Sequence, residues 1–176
     1  MKHSEELEAL KLAIKTEQDG RKMYLDASSR VFNVLAMSTF ATLAQEELIH
    51  IQVITDFYES LKAGKEGSVS SKIQEAQSYD LRRKTIFEAA RGRMEKTVLS
   101  DPDVFNAFRA AMKFEEDGAN MYQELAAKTD HAIAKKMYDF LNIQENEHYR
   151  ILAETLNYLE NPNQWFNEQE KPHFEG

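Results

Sequence analysis

The sequence predicts an all-α protein, a bundle of four long helices built from two related helical hairpins. Composition gives the first reason, because the 176 residues include only 6 Gly and 3 Pro, whereas helix-favouring Ala, Glu, Lys and Leu are abundant. Apolar residues that recur at three- and four-residue steps give the second. The third is an internal repeat: shifted by 98 positions, residues 9–62 align with residues 107–160 without a gap.

Each predicted helix is bounded by residues that favour a start or a stop. Gly64 ends the second helix, Asp101-Pro102 supplies an N-cap and a first helical position for the third, and Asn161-Pro162 stops the fourth. The predicted helices cover residues 4–29, about 34–63, about 102–128 and about 131–160.

The repeat also predicts how the chain is organised. Residues 1–162 are expected to form one bundle, and the two repeat halves are joined by a long helical crossover over residues 63–106. This connection is expected to hold one or two shorter helices within residues 73–99. Residues 163–176 are read as a polar C-terminal tail.

Charge and composition exclude several classes of function. The net charge is −8 and the basic residues form no stripe, so nucleic acid is not an expected partner. The apolar runs are too short to span a membrane, and the acidic start lacks the apolar stretch of a secretion signal, so a cytoplasmic location is expected. Because the chain has no cysteine, any metal must be held by carboxylates and imidazoles.

Six polar residues fall on the faces that are predicted to point inward. Buried carboxylates are costly unless they are paired, and divalent cations supply partners for them. A Glu and a His three positions apart on a helix can ligate one metal together, and four carboxylates balance the charge of two divalent cations. The candidate metal ligands are Glu17, Glu47, His50, Glu115, Glu145 and His148.

The repeat is what makes this pattern specific. A single Glu-x-x-His occurs by chance, as Glu170 and His173 in the tail illustrate, and Glu47 with His50 taken alone would be better interpreted as solvated helix residues. Two repeat-related pairs, each with a lone Glu 30 positions upstream, favour a metal site. A helical scaffold in which the metals are only structural is the alternative from another functional class.

Charged neighbours of the candidate ligands receive a different interpretation. Glu46, Glu116 and Glu147 are expected to be solvated, because adjacent residues on a helix point about 100° apart. His3 and His131 stand at predicted helix starts and are expected at the surface.

Four further residues face the predicted site. Tyr24 and Tyr122 lie two turns after a ligand Glu, and each either donates a hydrogen bond to a ligand carboxylate or is a core aromatic residue. Gly20 and Gly118 lie three residues after the lone Glu residues. Each glycine either leaves room for a small oxidant or allows close helix packing.

The paired motifs resemble the di-iron motif of the rubrerythrin and bacterioferritin branch of the ferritin-like superfamily, over about residues 5–160. The residues that carry the resemblance are Glu17, Glu47-Leu-Ile-His50, Glu115 and Glu145-Asn-Glu-His148. It implies a ferritin-like bundle of two antiparallel helix pairs with a long crossover. It also implies two iron ions that react with dioxygen or hydrogen peroxide, and a homodimer or larger homo-oligomer.

The chain departs from this branch in three places. It has no cysteine for a rubredoxin-like domain, so electrons would come from an external donor. Gly118 stands where rubrerythrins usually carry an extra ligand Glu, so their peroxidase activity does not follow from the resemblance. Leu48 stands where bacterioferritin has a haem-ligating methionine, so assembly into a cage does not follow either.

The sequence therefore predicts a di-iron oxidoreductase that reduces dioxygen or hydrogen peroxide. Oxygen and imidazole ligands suit iron or manganese and do not exclude zinc. The alternative within the same fold is a ferroxidase that oxidises and stores iron.

Overall fold

A computed structural model describes residues 3–65, 81–84, 86 and 102–162. These residues contain four long helices and no strand, so the all-α prediction is confirmed. The predicted helix ends differ from the observed ones by no more than one residue. The helices are α1 (His3–Arg30), α2 (Val34–Lys62), α3 (Pro102–Lys128) and α4 (Ala132–Glu160).

Most of the predicted connection lies outside the described residues. Of residues 73–99, only 81–84 and 86 are described, and they are helical. The predicted tail, residues 163–176, lies outside the described residues entirely.

The four helices form a bundle of two hairpins. The α1 helix packs along α2, and α3 packs along α4; the hairpins meet through contacts of α2 with α4 and of α1 with α3. Each hairpin is one half of the sequence repeat, so α1 corresponds to α3 and α2 to α4. None of the described helices has the length and apolar character needed to cross a lipid bilayer.

Residues at the turns define the start of α2, the end of α2 and the start of α4. The Asn33 Oδ1 atom accepts a hydrogen bond from the Ala36 backbone N–H at 3.0 Å and caps α2. Beyond α2, Gly64 adopts a φ of +67°, which suits glycine because it lacks a Cβ. At α4, His131 Nδ1 accepts from the Ala134 N–H at 3.3 Å, so this partly exposed histidine is a helix cap.

Two apolar clusters fill the interior, one on each side of the predicted ligands along every helix. The first includes Phe40 and Phe108, whose ring centroids lie 4.5 Å apart. Other members of the first cluster are Tyr24, Leu35, Leu43, Ala111, Ile151 and Leu152. Members of the second cluster include Leu10, Ile54, Phe57, Tyr122, Tyr138 and Leu141. The polar residues between the clusters are thereby separated from both ends of the bundle.

A buried carboxyl group joins the two hairpins beside the second cluster. Glu6 of α1 is only 3% exposed. Its carboxylate oxygens accept hydrogen bonds from the Tyr138 hydroxyl at 2.8 Å and from the Thr129 hydroxyl at 2.6 Å. Burial raises the pKa of Tyr138 above its usual range, so the phenol keeps the proton that it donates.

Replacing Tyr138 with Phe should lower the free energy of unfolding by about 1–3 kcal/mol, because a buried carboxylate loses a hydrogen bond. Urea unfolding measures the change. Tyr149→Phe, at a residue that is 38% exposed, is the matched control and should leave the stability unchanged. If the Tyr138→Phe variant and the wild type have equal free energies of unfolding, this hydrogen bond does not stabilise the contact between the hairpins.

Candidate metal centre

The six predicted ligands come from all four helices and meet in the middle of the bundle. Glu17 lies on α1 and Glu115 on α3, while α2 and α4 each supply a Glu-x-x-His pair. Every one of the six is buried, with at most 2% of its surface exposed. The residues are Glu17, Glu47, His50, Glu115, Glu145 and His148.

On one side of the centre, three carboxylates surround the His50 imidazole. Its Nδ1 atom lies 3.0 Å from Glu17 Oε2 and 3.1 Å from Glu47 Oε2. The same atom lies 3.5 Å from Glu145 Oε1, which comes from the other hairpin. One imidazole nitrogen and three carboxylates therefore converge here.

The other side repeats this arrangement around His148. The His148 Nδ1 atom lies 3.3 Å from Glu47 Oε1 and 3.6 Å from Glu115 Oε2. The imidazole rings of His50 and His148 stack with their centroids 5.3 Å apart. The pseudo-symmetry of the sequence repeat is thus present in the site itself.

Two carboxylates are common to both sides. One group able to hold a metal ion consists of Glu17, Glu47, His50 and Glu145, and the other of Glu47, Glu115, Glu145 and His148. Within each group, one potential ligand atom from every residue lies within 4.8 Å of the others. Glu47 and Glu145 therefore stand between two adjoining ligand sets, as bridging ligands of a dinuclear centre do.

Several buried polar atoms of this cluster have no hydrogen-bond partner among the described residues. They are Glu47 Oε1, His50 Nε2, Glu115 Oε2, Glu145 Oε1 and both ring nitrogens of His148. Burying such atoms without partners is unfavourable, and each carboxylate oxygen, together with one nitrogen of each neutral imidazole, offers a lone pair that a cation can bind. The residues present fit a pair of metal ions.

The two predicted tyrosines cross between the hairpins. The Tyr24 hydroxyl of α1 donates a hydrogen bond to Glu115 Oε1 of α3. The Tyr122 hydroxyl of α3 donates to Glu17 Oε1 of α1. Both tyrosines are fully buried, so each is a core aromatic residue and a hydrogen-bond donor at once. Such donors fix the orientation of a ligand carboxylate.

Within each hairpin, one carboxyl group has a lowered pKa and its neighbour a raised one. Burial favours the neutral form of Glu17, but hydrogen bonds with Glu47 and His50 outweigh it and lower the Glu17 pKa to about 2. Burial, followed by the charge on Glu17, raises the pKa of Glu47 well above its usual range. Without metal, Glu17 therefore favours the ionised form and Glu47 the protonated form.

The second hairpin repeats the pattern. Burial opposes ionisation of Glu115, yet a hydrogen bond with Glu145 and the charge of His148 lower its pKa. Burial, followed by the charge on Glu115, raises the pKa of Glu145 well above its usual range. In metal-free protein, Glu47 and Glu145 therefore favour the protonated form, and bound cations would compete with those protons.

The two glycines that face the site allow close packing. A Cβ atom added at Gly20 would lie 2.8 Å from Cε1 of the Phe114 ring. One added at Gly118 would lie 3.2 Å from Glu145 Oε2. The Phe114 ring therefore fills the space beside Gly20, and the Glu145 carboxylate fills the space beside Gly118. Of the two predicted roles for these glycines, the structure supports close packing rather than room for an oxidant.

Contrary to the prediction that both are solvated, Glu46 is buried and Glu147 is only partly exposed. Glu46 is only 6% exposed, and Glu46 and Glu147 both form ion pairs with Arg82 of segment 81–84. Helical geometry located the acids correctly beside the ligands, but it could not reveal that the connection places a cation over them. Glu116 is exposed, in agreement with its prediction.

A cavity of about 280 Å³ adjoins the centre between α3 and α4. Its lining includes the ligand Glu115 and small Ala119, whose repeat equivalent in α1 is Arg21. The Arg21 side chain is partly buried and its Nε atom is out of contact with solvent. The cavity therefore lies where the second hairpin has a small residue and the first a large one. A wider groove of about 790 Å³ between α1 and α3 touches none of the six ligands.

Comparison with known proteins adds one finding to this geometry. The family model described as Rubrerythrin matches residues 8–156, which include all six candidate ligands and both tyrosines. No match was found among curated proteins or among solved structures.

Metal-free protein should lose stability as the pH rises from about 5 to 9. Glu47, Glu145 and His50 all have pKa values that folding raises. Burial alone would lower the His50 pKa from 6.5, but hydrogen bonds and charges from Glu17 and Glu47 raise it to about 9. A raised group stabilises the fold below its unfolded pKa and ceases to do so as the pH passes its folded pKa. His50 alone should account for on the order of 3 kcal/mol.

The opposite dependence is expected for metal-loaded protein, because cations compete with protons for the same atoms. Glu17 adds no pH dependence within this window. The stabilisation that comes from its lowered pKa of about 2 is already complete above about pH 4.5. Urea unfolding of chelator-treated and Co²⁺-saturated protein at several pH values measures both dependences. A metal-free protein that gains stability between pH 5 and 9 would contradict the assigned protonation.

Proposed function

The chain belongs to the rubrerythrin family, and from that premise we propose that it is an oxidoreductase that reduces dioxygen or hydrogen peroxide at a di-iron centre. The observation that supports this proposal most strongly is the pair of buried ligand groups that share Glu47 and Glu145. Two metal ions held by common carboxylates can act on one small molecule together.

The candidate ligands divide into two outer pairs and one shared pair. Glu17 with His50 would hold one ion, and Glu115 with His148 would hold the other. Glu47 and Glu145 would contact both. When bound, two ferrous ions would supply the electrons and the Lewis acidity that reduction of the oxidant requires.

The protein's own groups would orient the ligands and keep the centre dry. Tyr24 and Tyr122 hold one carboxylate oxygen each, which leaves the second oxygen of Glu115 and of Glu17 for metal. Burial and neighbouring carboxylates raise the pKa of both phenols well above the usual range, so each keeps its proton and remains a donor. The apolar clusters on either side exclude bulk water.

The ligand set supports iron as the metal. Carboxylate oxygens and imidazole nitrogens, without a thiolate, suit iron or manganese, and zinc can occupy the same set. Family membership favours iron, because a di-iron carboxylate centre is what the rubrerythrin family implies.

The partners follow from the same proposal. A small oxidant could approach through the cavity of about 280 Å³ beside Glu115. We propose that electrons for further turnover come from an external donor. A homodimer or larger homo-oligomer is the assembly that we propose.

One observation favours a ferroxidase that handles iron as the second candidate. Gly118 contributes no seventh carboxylate, and a side chain there would encounter Glu145 Oε2 at 3.2 Å from the added Cβ. With glycine at position 118, the centre would have six protein ligands. A ferroxidase should accumulate many irons in a large assembly, whereas the proposed oxidoreductase should hold two per chain.

Anaerobic loading with ferrous iron, followed by hydrogen peroxide or air, should produce ferric absorption in the near ultraviolet. Glu47→Ala and Glu145→Ala should each reduce bound iron below two per chain and slow oxidation by about 100-fold, because each residue serves both ligand groups. Iron content and stopped-flow absorbance measure these effects.

The matched control is Glu124→Ala, at an exposed residue of the same helix as the ligand Glu115 and away from the cavity of about 280 Å³. It should retain both irons and the wild-type rate. If the Glu47 and Glu145 variants behave like this control, the ligand assignment is wrong. If wild-type protein binds metal that is redox-silent and only stabilises the fold, the centre is structural and the oxidoreductase proposal fails.

A further inference from the structure

The Arg82 side chain is 0% exposed and lies between α2 and α4. Its Nη2 atom donates hydrogen bonds to Glu46 Oε2 at 3.1 Å and to Gln144 Oε1 at 2.7 Å. Its Nη1 atom donates to Glu147 Oε2 at 3.0 Å. A buried guanidinium is tolerated only with such partners, and its planar fork holds them in a fixed geometry.

The sequence repeat shows where this guanidinium stands relative to the metal centre. Glu46 and Gln144 occupy equivalent repeat positions, 98 residues apart, and both accept a hydrogen bond from the same Arg82 nitrogen. Each immediately precedes a shared ligand, Glu47 or Glu145. Arg82 therefore lies near the pseudo-twofold axis that relates α2 to α4, and it joins the two turns of helix that carry the shared carboxylates.

The distance between α2 and α4 determines whether Glu47 and Glu145 can each reach a histidine of the other hairpin. These helices belong to different hairpins, yet Glu47 of α2 is close to His148 of α4, and Glu145 of α4 is close to His50 of α2. If the helices separate, each shared carboxylate can still serve its own hairpin, but it can no longer serve both.

We propose that Arg82 is a positioning residue that fixes the spacing of α2 and α4, so that Glu47 and Glu145 can serve two metal ions at once. This inference rests on the dinuclear centre proposed above. When Arg82 is removed, the first ion can draw the shared carboxylates to itself. The second ion then binds to an incomplete ligand set, and its affinity falls more than that of the first.

A different role for Arg82 would be to anchor the connection to the bundle without affecting the metals. Arg83 provides the control for this possibility, because its Nε atom donates to Glu154 Oε1 of α4 at 2.5 Å. Arg83→Met removes an anchor of the same segment but leaves the bridge from Arg82 to α2 and α4 intact.

Calorimetric titration of metal-free protein with Co²⁺ gives the two stepwise dissociation constants. The principal variant is the triple substitution Arg82→Met, Glu46→Gln and Glu147→Gln, which removes both ion pairs without leaving Glu46 or Glu147 as an unpaired charge. We expect its second dissociation constant to rise at least about tenfold while the first changes less than about threefold. Arg83→Met should leave both constants within about threefold of wild type.

The inference is overturned if the triple variant binds both ions as the wild type does, or loses equal affinity for both. It is also overturned if Arg83→Met reproduces the selective loss of the second ion. Arg82→Lys keeps the charge but lacks the planar fork, and it should also weaken the second ion selectively. If the triple variant does not fold, titration of the Arg82→Lys variant decides whether Arg82 positions the shared ligands or only anchors the connection. Wild-type protein that binds no pair of ions would instead refute the proposed function.

Discussion

The burial of ionisable groups between two apolar clusters is the constraint on which the rest of the structure depends. Four carboxyl groups and two imidazoles lie where almost none of their surface is exposed. The described residues satisfy them only in part. The pKa values of Glu47 and Glu145 are raised, and tyrosines donate to Glu17 and Glu115. Several ring nitrogens and carboxylate oxygens have no partner among the described residues. Bound cations would satisfy the remaining atoms, and metal binding would then be linked to folding stability.

This constraint also explains how the two hairpins are joined. Tyr24 donates across the hairpin boundary to Glu115, and Tyr122 donates back to Glu17. Arg82 also joins the hairpins, through acids on α2 and α4, and Glu6 joins them through Tyr138 and Thr129. Two of the contacts that hold the halves together, the tyrosine hydrogen bonds, therefore also orient candidate ligands. A change at the interface should affect both the stability of the bundle and its affinity for metal.

The fold and the six candidate ligands were predictable because both follow from local periodicity and a gapless repeat. Helix ends and the convergence of Glu47 with His148 needed only the helical repeat and the 98-residue shift. Arg82 was not predictable, because it lies in the connection, which has no counterpart in the repeat. The roles of the glycines were also unpredictable, since Phe114 and Glu145 reach them from a different helix. Tertiary packing, which periodicity does not encode, decided those positions.

An anomalous difference map from crystals of iron-loaded protein, recorded on both sides of the iron absorption edge, tests the central claim most directly. We predict two peaks within the bundle, one in each ligand group, with Glu47 and Glu145 within bonding distance of both. A single peak, peaks only at the protein surface, or no peak in iron-saturated crystals would contradict the claim that these six side chains converge to bind a pair of cations.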